Sequence, residues 1–298
     1  RERLRNNLIL RHRMILEIRN EMSKQGFIEV ETPMLVKGTP EGSREYLVPS
    51  RLYHGKFYVL PQSPQQMKQL LMVAGMDRYF QIARCFRDED QRGDRQPEFT
   101  QLDIEMAFIE QEDMLKLTEN LLIKLSKKFQ TGKKILKKPF PRYTYFDAMN
   151  RYGSDKPDIR YGMELQDVSD LCRSSEFKVF KETVEKGGVV KALKVEGYGN
   201  KPRNYFETKL TDYARQMGAK GLAYIVWKDG KFQSPITKFL GEDLTKKLME
   251  EVRAQDGDIV FFGAGEYRSA LEPLGQVRLE VARKLGLIDT YIWSLLWV

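Results

Sequence analysis

The sequence has few of the residues that build disulfides and metal centres. Only two cysteines and two histidines occur among its 298 residues. Cys85 and Cys172 lie far apart and lack metal-ligand spacing, and His12 and His54 do not form a second cluster. The sequence therefore predicts a reducing, cytoplasmic setting and no metal ligands of the zinc type.

Long apolar runs are also missing. No uncharged apolar stretch is long enough to cross a bilayer, so we expect a protein without a membrane span. The chain begins at Arg1 rather than at a methionine, and we expect the native N-terminus and any targeting signal to be missing. Glu2 and Glu17 within the arginine-rich start argue against a transit peptide.

What the sequence does contain is enough apolar material for a core and a moderately basic charge. With 41% hydrophobic residues, the chain can bury one large core or two modest ones. Its net charge of +8 comes from 50 basic and 42 acidic residues, a mixed surface that is compatible with a nucleic-acid partner. The lysines between positions 124 and 138 equally fit a solvated helix end and a linker.

The stretch from Phe80 to Phe108 has the sequence pattern of an antiparallel hairpin. Two runs of period two flank a charged, turn-rich connection from Asp88 to Pro97. Side chains alternate along a strand, so the members of each row share one face. The sequence predicts these rows: Phe80, Ile82, Arg84 and Phe86; Gln81, Ala83, Cys85 and Arg87; Leu102, Ile104 and Met106 toward a core; and Phe99, Gln101, Asp103 and Glu105 opposite them.

A row of one aromatic, one amide and two carboxylates is better suited to a polar ligand than to solvent. Arg87 and Glu89 add a cation and an acceptor at the end of the first strand. A guanidinium holds phosphate with a fork of donors, and Phe99 offers a flat surface for a purine. The alternative is a charged hairpin on the surface of an α+β domain.

A helix is predicted from Gln62 to Met76. Ser63 is a candidate cap and Pro64 suits the first turn, with a buried stripe of Met67, Leu70, Leu71 and Ala74. Gln65 and Lys68 share a face near the helix start, where the helix dipole adds to the lysine charge. This pair suits a small dicarboxylate, and the alternative is a lysine on a solvated face.

The segment from Gly38 to Arg44 is a loop by composition. Its two glycines around Glu41 suit a mobile lid, although an ordinary connection fits as well. Before it, the sequence predicts a helix from Leu8 to Met22 that ends at Gly26, then a strand from Phe27 to Thr32 closed by Pro33.

The remaining sequence indicates one long helix followed by short alternating strands and helices. The helix runs from Gln111 to about Phe129, and a boundary follows near Tyr145–Tyr152. Beyond it we expect a helix carrying Leu165, Val168, Leu171 and Cys172, another from Phe206 to Met217 capped by Asn204, and a last one ending at Gly286. The predicted strands are Val189–Val195, Leu222–Trp227, Ile259–Phe262 and a strand-like Tyr291–Val298.

Three of these segments carry a family resemblance. FRDED followed by RQPEFTQLDIE resembles motif 2 of the class II aminoacyl-tRNA synthetases, in the form found in aspartyl-tRNA synthetases of bacterial type. QSPQQMK resembles the aspartate-binding segment of the same enzymes, and the helix followed by a strand ending at Pro33 resembles motif 1. The resemblance extends over nearly all of the chain.

The resemblance implies a role for each matching residue. Arg87 would contact the ATP α-phosphate as the catalytic cation. Phe99 would stack on the adenine. The other nucleotide contacts would be Asp88, Glu89 and Gln96. The aspartate contacts would be Glu41, Gln65, Gln66, Met67, Lys68 and Asp103. Arg92 and Arg95 would face the acceptor end of the tRNA.

The resemblance also implies an architecture and partners. The fold class would be α+β, with an incomplete antiparallel synthetase sheet flanked by helices and an inserted second α+β domain. The implied domains are 1–155 for the first part of the catalytic core, 156–288 for the insertion and 289–298 for the return to the core. The implied substrates are ATP with Mg²⁺, L-aspartate and tRNA, and the implied assembly is a homodimer through motif 1.

In that interpretation the chain ends before motif 3, so we expect the 298 residues alone to be inactive and the Mg²⁺ ligands to lie elsewhere. Three alternatives remain open. They are a sister synthetase for asparagine or lysine, a paralogue related to amide-forming ligases, and a non-catalytic module that binds tRNA through its basic surface.

Overall fold

Two groups of helices and strands, each with its own core, make up the chain. The computed structural model describes residues 1–39, 41–91, 93, 95–130 and 132–298. Internal contacts divide the chain into a first unit, Arg1–Thr131, and a second unit, Gly132–Val298. The domain limits implied by the family resemblance are a different division and stay a prediction.

The first unit is built on a sheet of three strands in the order β1-β4-β5. Its elements are α1 Glu2–Lys24, β1 Ile28–Glu29, β2 Leu47–Pro49, β3 Phe57–Val59, α2 Gln65–Val73, β4 Arg78–Phe86, β5 Glu98–Met106 and α3 Gln111–Phe129. Strand β1 runs parallel to β4, and β4 runs antiparallel to β5. The predicted hairpin is therefore confirmed as β4 and β5.

One face of this hairpin carries the core of the first unit. Phe80 is fully buried against Met22 of α1, Phe27, and Leu117 and Leu121 of α3. Leu102, Ile104 and Met106 of β5 pack against the same cluster, as the period of two predicted. With α1 and α3 covering this face, the functional side chains can occupy only the opposite one.

Two details near the start of the chain differ from the predictions. Helix α1 begins at Glu2 rather than Leu8, and Leu8 is 59% exposed. Only the C-terminal half of α1, with Ile18 and Met22, reaches the core. Strand β1 has two residues because its pairing with β4 spans only Ile28 and Glu29. Gly26 follows the helix with φ of +79°, as expected for a helix stop.

The second unit is organised around a sheet of five strands in the order β10-β9-β11-β8-β7. Its elements are β6 Lys134–Ile135, α4 Tyr145–Tyr152, β7 Leu165–Asp167, α5 Ser169–Cys172, α6 Lys178–Glu185, β8 Val189–Val195, α7 Thr211–Gln216, β9 Ala223–Lys228, β10 Lys231–Gln233, α8 Thr237–Leu240, α9 Glu242–Glu251, β11 Ile259–Gly265, α10 Tyr267–Lys284 and β12 Ile292–Trp293.

Apolar clusters cover both faces of this sheet. One cluster joins Val190 and Phe262 of the strands to Phe180 of α6 and Leu248 of α9. The other joins Leu193 and Phe261 to residues of α7 and α10. A strand covered on both faces is apolar almost throughout, which is why Val189–Val195 and Ile259–Phe262 could be predicted as buried strands.

Two predictions for the second unit are wrong. The helix expected across Leu165–Cys172 is a strand followed by one short helical turn, because β7 pairs with the free edge of β8. The helix expected to be capped by Asn204 begins as a π-helical turn, Tyr205–Leu210, and the Asn204 side chain makes no capping hydrogen bond. There the Asn204 carbonyl accepts from the Thr208 hydroxyl.

Arg278 is the most deeply buried cation of the second unit, at 2% exposure. Its guanidinium donates to the backbone carbonyls of Asp158, Tyr161, Gly162 and Met163. Burial lowers its pKa. This arginine fastens the segment before β7 to α10 and so has a structural role. Within the described ranges, no helix is both long and apolar enough to cross a membrane.

Candidate functional site

The floor of the candidate site is the face of the β4–β5 hairpin that lies opposite the core. The register pairs Cys85 with Phe99, Gln81 with Asp103, and Tyr79 with Glu105. Residues directly opposite in an antiparallel pair point to the same side of the sheet. The predicted row of Phe99, Gln101, Asp103 and Glu105 is therefore confirmed as one continuous surface.

Arg87 and Phe99 touch at one end of this floor. The Arg87 guanidinium carbon lies 5.2 Å from the centre of the Phe99 ring, within the range of a cation–π contact. The Arg87 backbone N–H donates to the Pro97 carbonyl at 2.8 Å, which continues the ladder beyond β4. Arg87 Nε is buried and has no hydrogen-bond partner among the described residues. This end thus presents a flat ring and an unsatisfied cationic donor side by side.

Lys68 of α2 lies over the middle of the floor, between two carboxylates. Its Nζ is 3.0 Å from Asp103 Oδ1 and 3.2 Å from Glu105 Oε2. Burial works to lower the Lys68 pKa, but the two carboxylates outweigh it and the pKa is raised. Burial raises the pKa of Asp103, and Lys68 only partly opposes that effect. Asp103 Oδ2 is buried without a hydrogen-bond partner in the described part of the chain.

The buried face of helix α2 differs from the apolar face that the sequence predicted. Lys68 is its buried residue, whereas Leu70 is 61% exposed and Ala74 is exposed as well. The physical reason is that α2 packs on a floor that carries carboxylates. An ion pair with Lys68 stabilises this packing more than contact with Leu70 would. The predicted burial of Leu70 and Ala74 is therefore wrong, while Met67 and Leu71 are half-buried. The role of Lys68 stays a prediction.

A buried hydrogen-bond network joins Tyr79 and Gln81, which lie on the same face of the hairpin, to Thr32. Gln81 Oε1 accepts from the Tyr79 hydroxyl at 2.8 Å and from the Thr32 hydroxyl at 3.0 Å. Gln81 in turn lies opposite Asp103 in the register. Burial, followed by the nearby Asp103 charge, raises the pKa of Tyr79. The sequence predictions missed Tyr79, although it stands one alternation before Gln81 in the same row.

Glu105 was also predicted to lie on the floor but was given no role. Its contact with Lys68 shows that the lysine has two acidic neighbours rather than one. Cys85 belongs to the same face, and its thiol donates to Gln101 Oε1 at 3.3 Å. Burial raises the pKa of Cys85 to about 11, so it stays a thiol at neutral pH.

The loop of residue 41 approaches the start of α2. Glu41 accepts one hydrogen bond from the Thr39 hydroxyl at 2.9 Å and one from the Ser63 hydroxyl at 2.8 Å. Ser63 therefore does not cap α2, and Pro64 occupies the cap position without a side-chain bond. Glu41, Gln66 and Met67 line one small cavity, while Gln65 opens α2. Three of the six predicted aspartate contacts thus share a single recess.

The remaining predicted residues lie on the connection between the two strands. Asp88, Glu89, Arg95 and Gln96 are all exposed there. Arg92 lies outside the described residues. Within the described ranges, no three His, Cys, Asp or Glu side chains group as metal ligands would.

Comparison with known proteins identifies what this arrangement is similar to. A family model described as tRNA synthetases class II (D, K and N) matches residues 1–298. The Aspartate–tRNA(Asp/Asn) ligase of Thermodesulfovibrio yellowstonii is 52% identical over 284 residues, which cover 95% of this chain and 47% of that protein.

Two further relatives agree. The protein of the same name in Rubrobacter xylanophilus is 51% identical over 298 residues, covering 100% of this chain and 49% of that protein. The Aspartate–tRNA ligase of Shouchella clausii is 50% identical over 289 residues, which cover 97% of this chain and 49% of that protein. The chain thus spans about half the length of the curated relatives that it matches.

Proposed function

Because the chain belongs to the class II tRNA synthetases of the aspartate, lysine and asparagine group, we propose that its protein joins L-aspartate to tRNA at the expense of ATP. The single observation that carries the proposal is the floor of the hairpin. On one face it presents the Arg87–Phe99 pair at one end and the Lys68–Asp103 pair farther along. A nucleotide and a small charged amino acid can lie along this face in one line.

The first step of the proposed reaction is formation of aspartyl-adenylate. An oxygen of the aspartate α-carboxylate attacks the α-phosphorus of ATP, and the bond to the β-phosphate oxygen breaks to release pyrophosphate. Arg87 neutralises the negative charge that develops on the α-phosphate oxygens, and Phe99 holds the adenine by stacking. In the second step a hydroxyl at the tRNA 3′ end attacks the adenylate carbonyl and AMP leaves.

The side chains around Lys68 hold the amino acid in this proposal. Lys68 contacts a carboxylate of aspartate. Asp103 accepts from the α-ammonium through Oδ2, which has no hydrogen-bond partner among the residues that the structure describes. Glu41 contacts the ammonium from the loop side. Gln65, Gln66 and Met67 complete the aspartate pocket. None of these groups acts as a nucleophile, so their contribution is to position the reactants.

Asp88, Glu89 and Gln96 are the proposed further contacts to the nucleotide. Magnesium accompanies ATP in this proposal and screens its phosphate charge. Because the described residues contain no ready-made group of metal ligands, we assign no step to a protein-held ion. Arg92 and Arg95 are proposed to face the tRNA acceptor end, where cations neutralise phosphate.

We also propose a domain role for part of the second unit, a homodimer and a cytoplasmic location. Residues 156–288 are proposed to form an insertion domain, and a second copy of the protein is proposed to cover the motif 1 region of α1 and β1. Support comes from the exposed apolar side chains there, which include Leu4, Leu8 and Ile28. Two buried free cysteines fit the proposed cytoplasmic location.

The proposal is tested by aspartate-dependent exchange of pyrophosphate into ATP, using the full product of the gene that encodes this chain. Arg87→Lys should lower kcat by about 100-fold or more, because a lysine cannot reproduce the guanidinium fork at a developing oxyanion. Arg84→Lys is the matched control, since Arg84 lies near the end of β4, three residues before Arg87 and on the opposite face, and pairs with Glu98.

Different outcomes point to different alternatives. Exchange driven better by asparagine or lysine than by aspartate would replace the proposed substrate. Binding of tRNA without any amino-acid-dependent exchange would favour a non-catalytic module. Charging of transcripts of the aspartate and asparagine tRNAs then decides whether one or both are substrates.

A further inference from the structure

The dipeptide Ser43–Arg44 is tied to two separate parts of the candidate site. On one side Ser43 and Gln62 bind each other twice. The Ser43 backbone N–H donates to Gln62 Oε1 at 3.1 Å, and Gln62 Nε2 donates to the Ser43 carbonyl at 3.0 Å. Gln62 is 3% exposed and immediately precedes Ser63 and the start of α2. Ser43 is thereby fixed to the helix that carries Lys68.

On the other side Arg44 and Asp88 bind each other twice as well. The Asp88 backbone N–H donates to the Arg44 carbonyl at 3.0 Å, and Arg44 Nε donates to the Asp88 carbonyl at 3.0 Å. Asp88 stands between Arg87 and Glu89, two residues proposed to contact the nucleotide. Both bonds use the main chain of Asp88, so they fix the path of the backbone there.

The same loop carries a proposed contact to the amino acid. Glu41 lies three residues before Arg44, and its carboxylate is held by Thr39 and by Ser63, next to the start of α2. Because Glu41 and Arg44 belong to one short loop, a displacement of Arg44 also shifts Glu41. The Gln62 contacts to Ser43 are the other restraint on this loop. The described contacts form a continuous chain from Arg87 through Asp88, Arg44 and Ser43 to the aspartate pocket.

We propose that Arg44 is a positioning residue that couples nucleotide binding at Arg87–Glu89 to aspartate binding by the Glu41 loop. This inference rests on the proposed function. Binding of the nucleotide orders the backbone at Asp88, and Arg44 transmits that order to the loop that contacts the ammonium. Such coupling is reciprocal, so aspartate must raise nucleotide affinity by the same factor.

The test measures the affinity of the full gene product for aspartate by calorimetry, without and with α,β-methylene ATP, which cannot form the adenylate. The ratio of the two dissociation constants is the coupling factor. We expect a factor of at least about fivefold in the wild-type protein. Arg44→Gln should lower it by about fivefold, the effect of one ordinary hydrogen bond at an exposed side chain. The affinity for the nucleotide alone should change less than twofold.

Two further variants separate coupling from a general loss of structure. Arg44→Lys keeps a charged donor and should restore part of the coupling. Arg51→Gln removes an exposed arginine from the turn between β2 and β3 and should leave the coupling factor at its wild-type value. An Arg44→Gln protein that melts at the wild-type temperature yet keeps full coupling would overturn the inference.

A measurement on the wild-type protein covers the case in which Arg44→Gln does not fold. The nucleotide analogue alone should slow amide hydrogen exchange in the peptide of residues 41–48, and aspartate alone should slow it in residues 86–91. Unchanged exchange in both peptides would overturn the inference. These outcomes differ from failure of the proposed function, which would appear as an absence of aspartate-dependent pyrophosphate exchange in the wild-type protein.

Discussion

At the scale of a single side chain, Lys68 is the cation that joins the two carboxylates of the floor. Its ammonium is nearly enclosed and contacts two carboxylates, Asp103 and Glu105. Removing one member of a buried ion pair leaves the other charge desolvated without compensation. An exposed pair on the same hairpin, Arg84 with Glu98, has no such enclosure and contributes little.

We predict that Lys68→Met lowers the free energy of unfolding by about 3 kcal/mol, because the two carboxylates then face each other without a cation. The double variant Lys68→Met/Asp103→Asn should be more stable than the sum of the single effects by about 1 kcal/mol or more. Urea unfolding followed by circular dichroism measures both values. Arg84→Met is the control and should lose less than about 1 kcal/mol. Equal losses in Lys68→Met and Arg84→Met would contradict the prediction.

At the scale of elements, α4 and α10 of the second unit approach each other closely at two glycines. Gly153 ends α4 in the left-handed conformation, with φ of +66°. A Cβ atom added to Gly275 of α10 would lie 2.6 Å from the Gly153 carbonyl oxygen and 2.7 Å from that of Tyr152. Glycine at both positions allows the two helices to meet backbone to backbone.

Gly275→Ala should therefore destabilise the protein by about 1–3 kcal/mol through overpacking, although alanine is the better helix former by about 1 kcal/mol. The contact outweighs the propensity because the neighbours are main-chain atoms, which cannot rotate away. Thermal unfolding followed by circular dichroism measures the change. Gly221→Ala is the matched control, since a Cβ there meets nothing within 4 Å. A raised melting temperature in Gly275→Ala would refute this explanation of the glycine.

At the scale of the whole molecule, the first unit leaves an apolar surface uncovered in the described residues. Leu4, Leu8 and Leu16 of α1 are 65%, 59% and 50% exposed, and Ile28 of β1 is 51% exposed. These side chains belong to the region proposed to bind a second copy. Exposed apolar groups on α1 and the neighbouring β1 are typical of an interface rather than of a solvated surface.

Leu8→Glu should weaken self-association at least about tenfold, since the change removes a leucine that the second copy would bury and places a charge in its position. Sedimentation equilibrium of the full gene product measures the dissociation constant. Val179→Glu is the control, because Val179 of α6 is similarly exposed, at 54%, but lies in the second unit. A wild-type protein that stays monomeric at all concentrations would remove the basis for the proposed homodimer.

Local patterns were sufficient for much of the fold. Alternation along 80–106 gave the hairpin and the identity of its two faces, and helical spacing gave α3 with both of its ends. Leu165–Cys172 could not be predicted in this way, because whether Leu165 pairs in a sheet depends on the free edge of β8. The stripe of α2 failed for a related reason, since the charged floor lies elsewhere in the chain.

The sequence by itself determined which side chains share the floor of the hairpin, because strand alternation depends only on near neighbours. The tertiary structure alone decided what those residues touch. Lys68 meets Asp103 across 35 positions, Ser63 meets Glu41 across 22, and Arg44 meets Asp88 across 44. Contacts over such separations form only when the chain closes on itself, and the packing of α2 over the hairpin and of the loop against both sets their geometry.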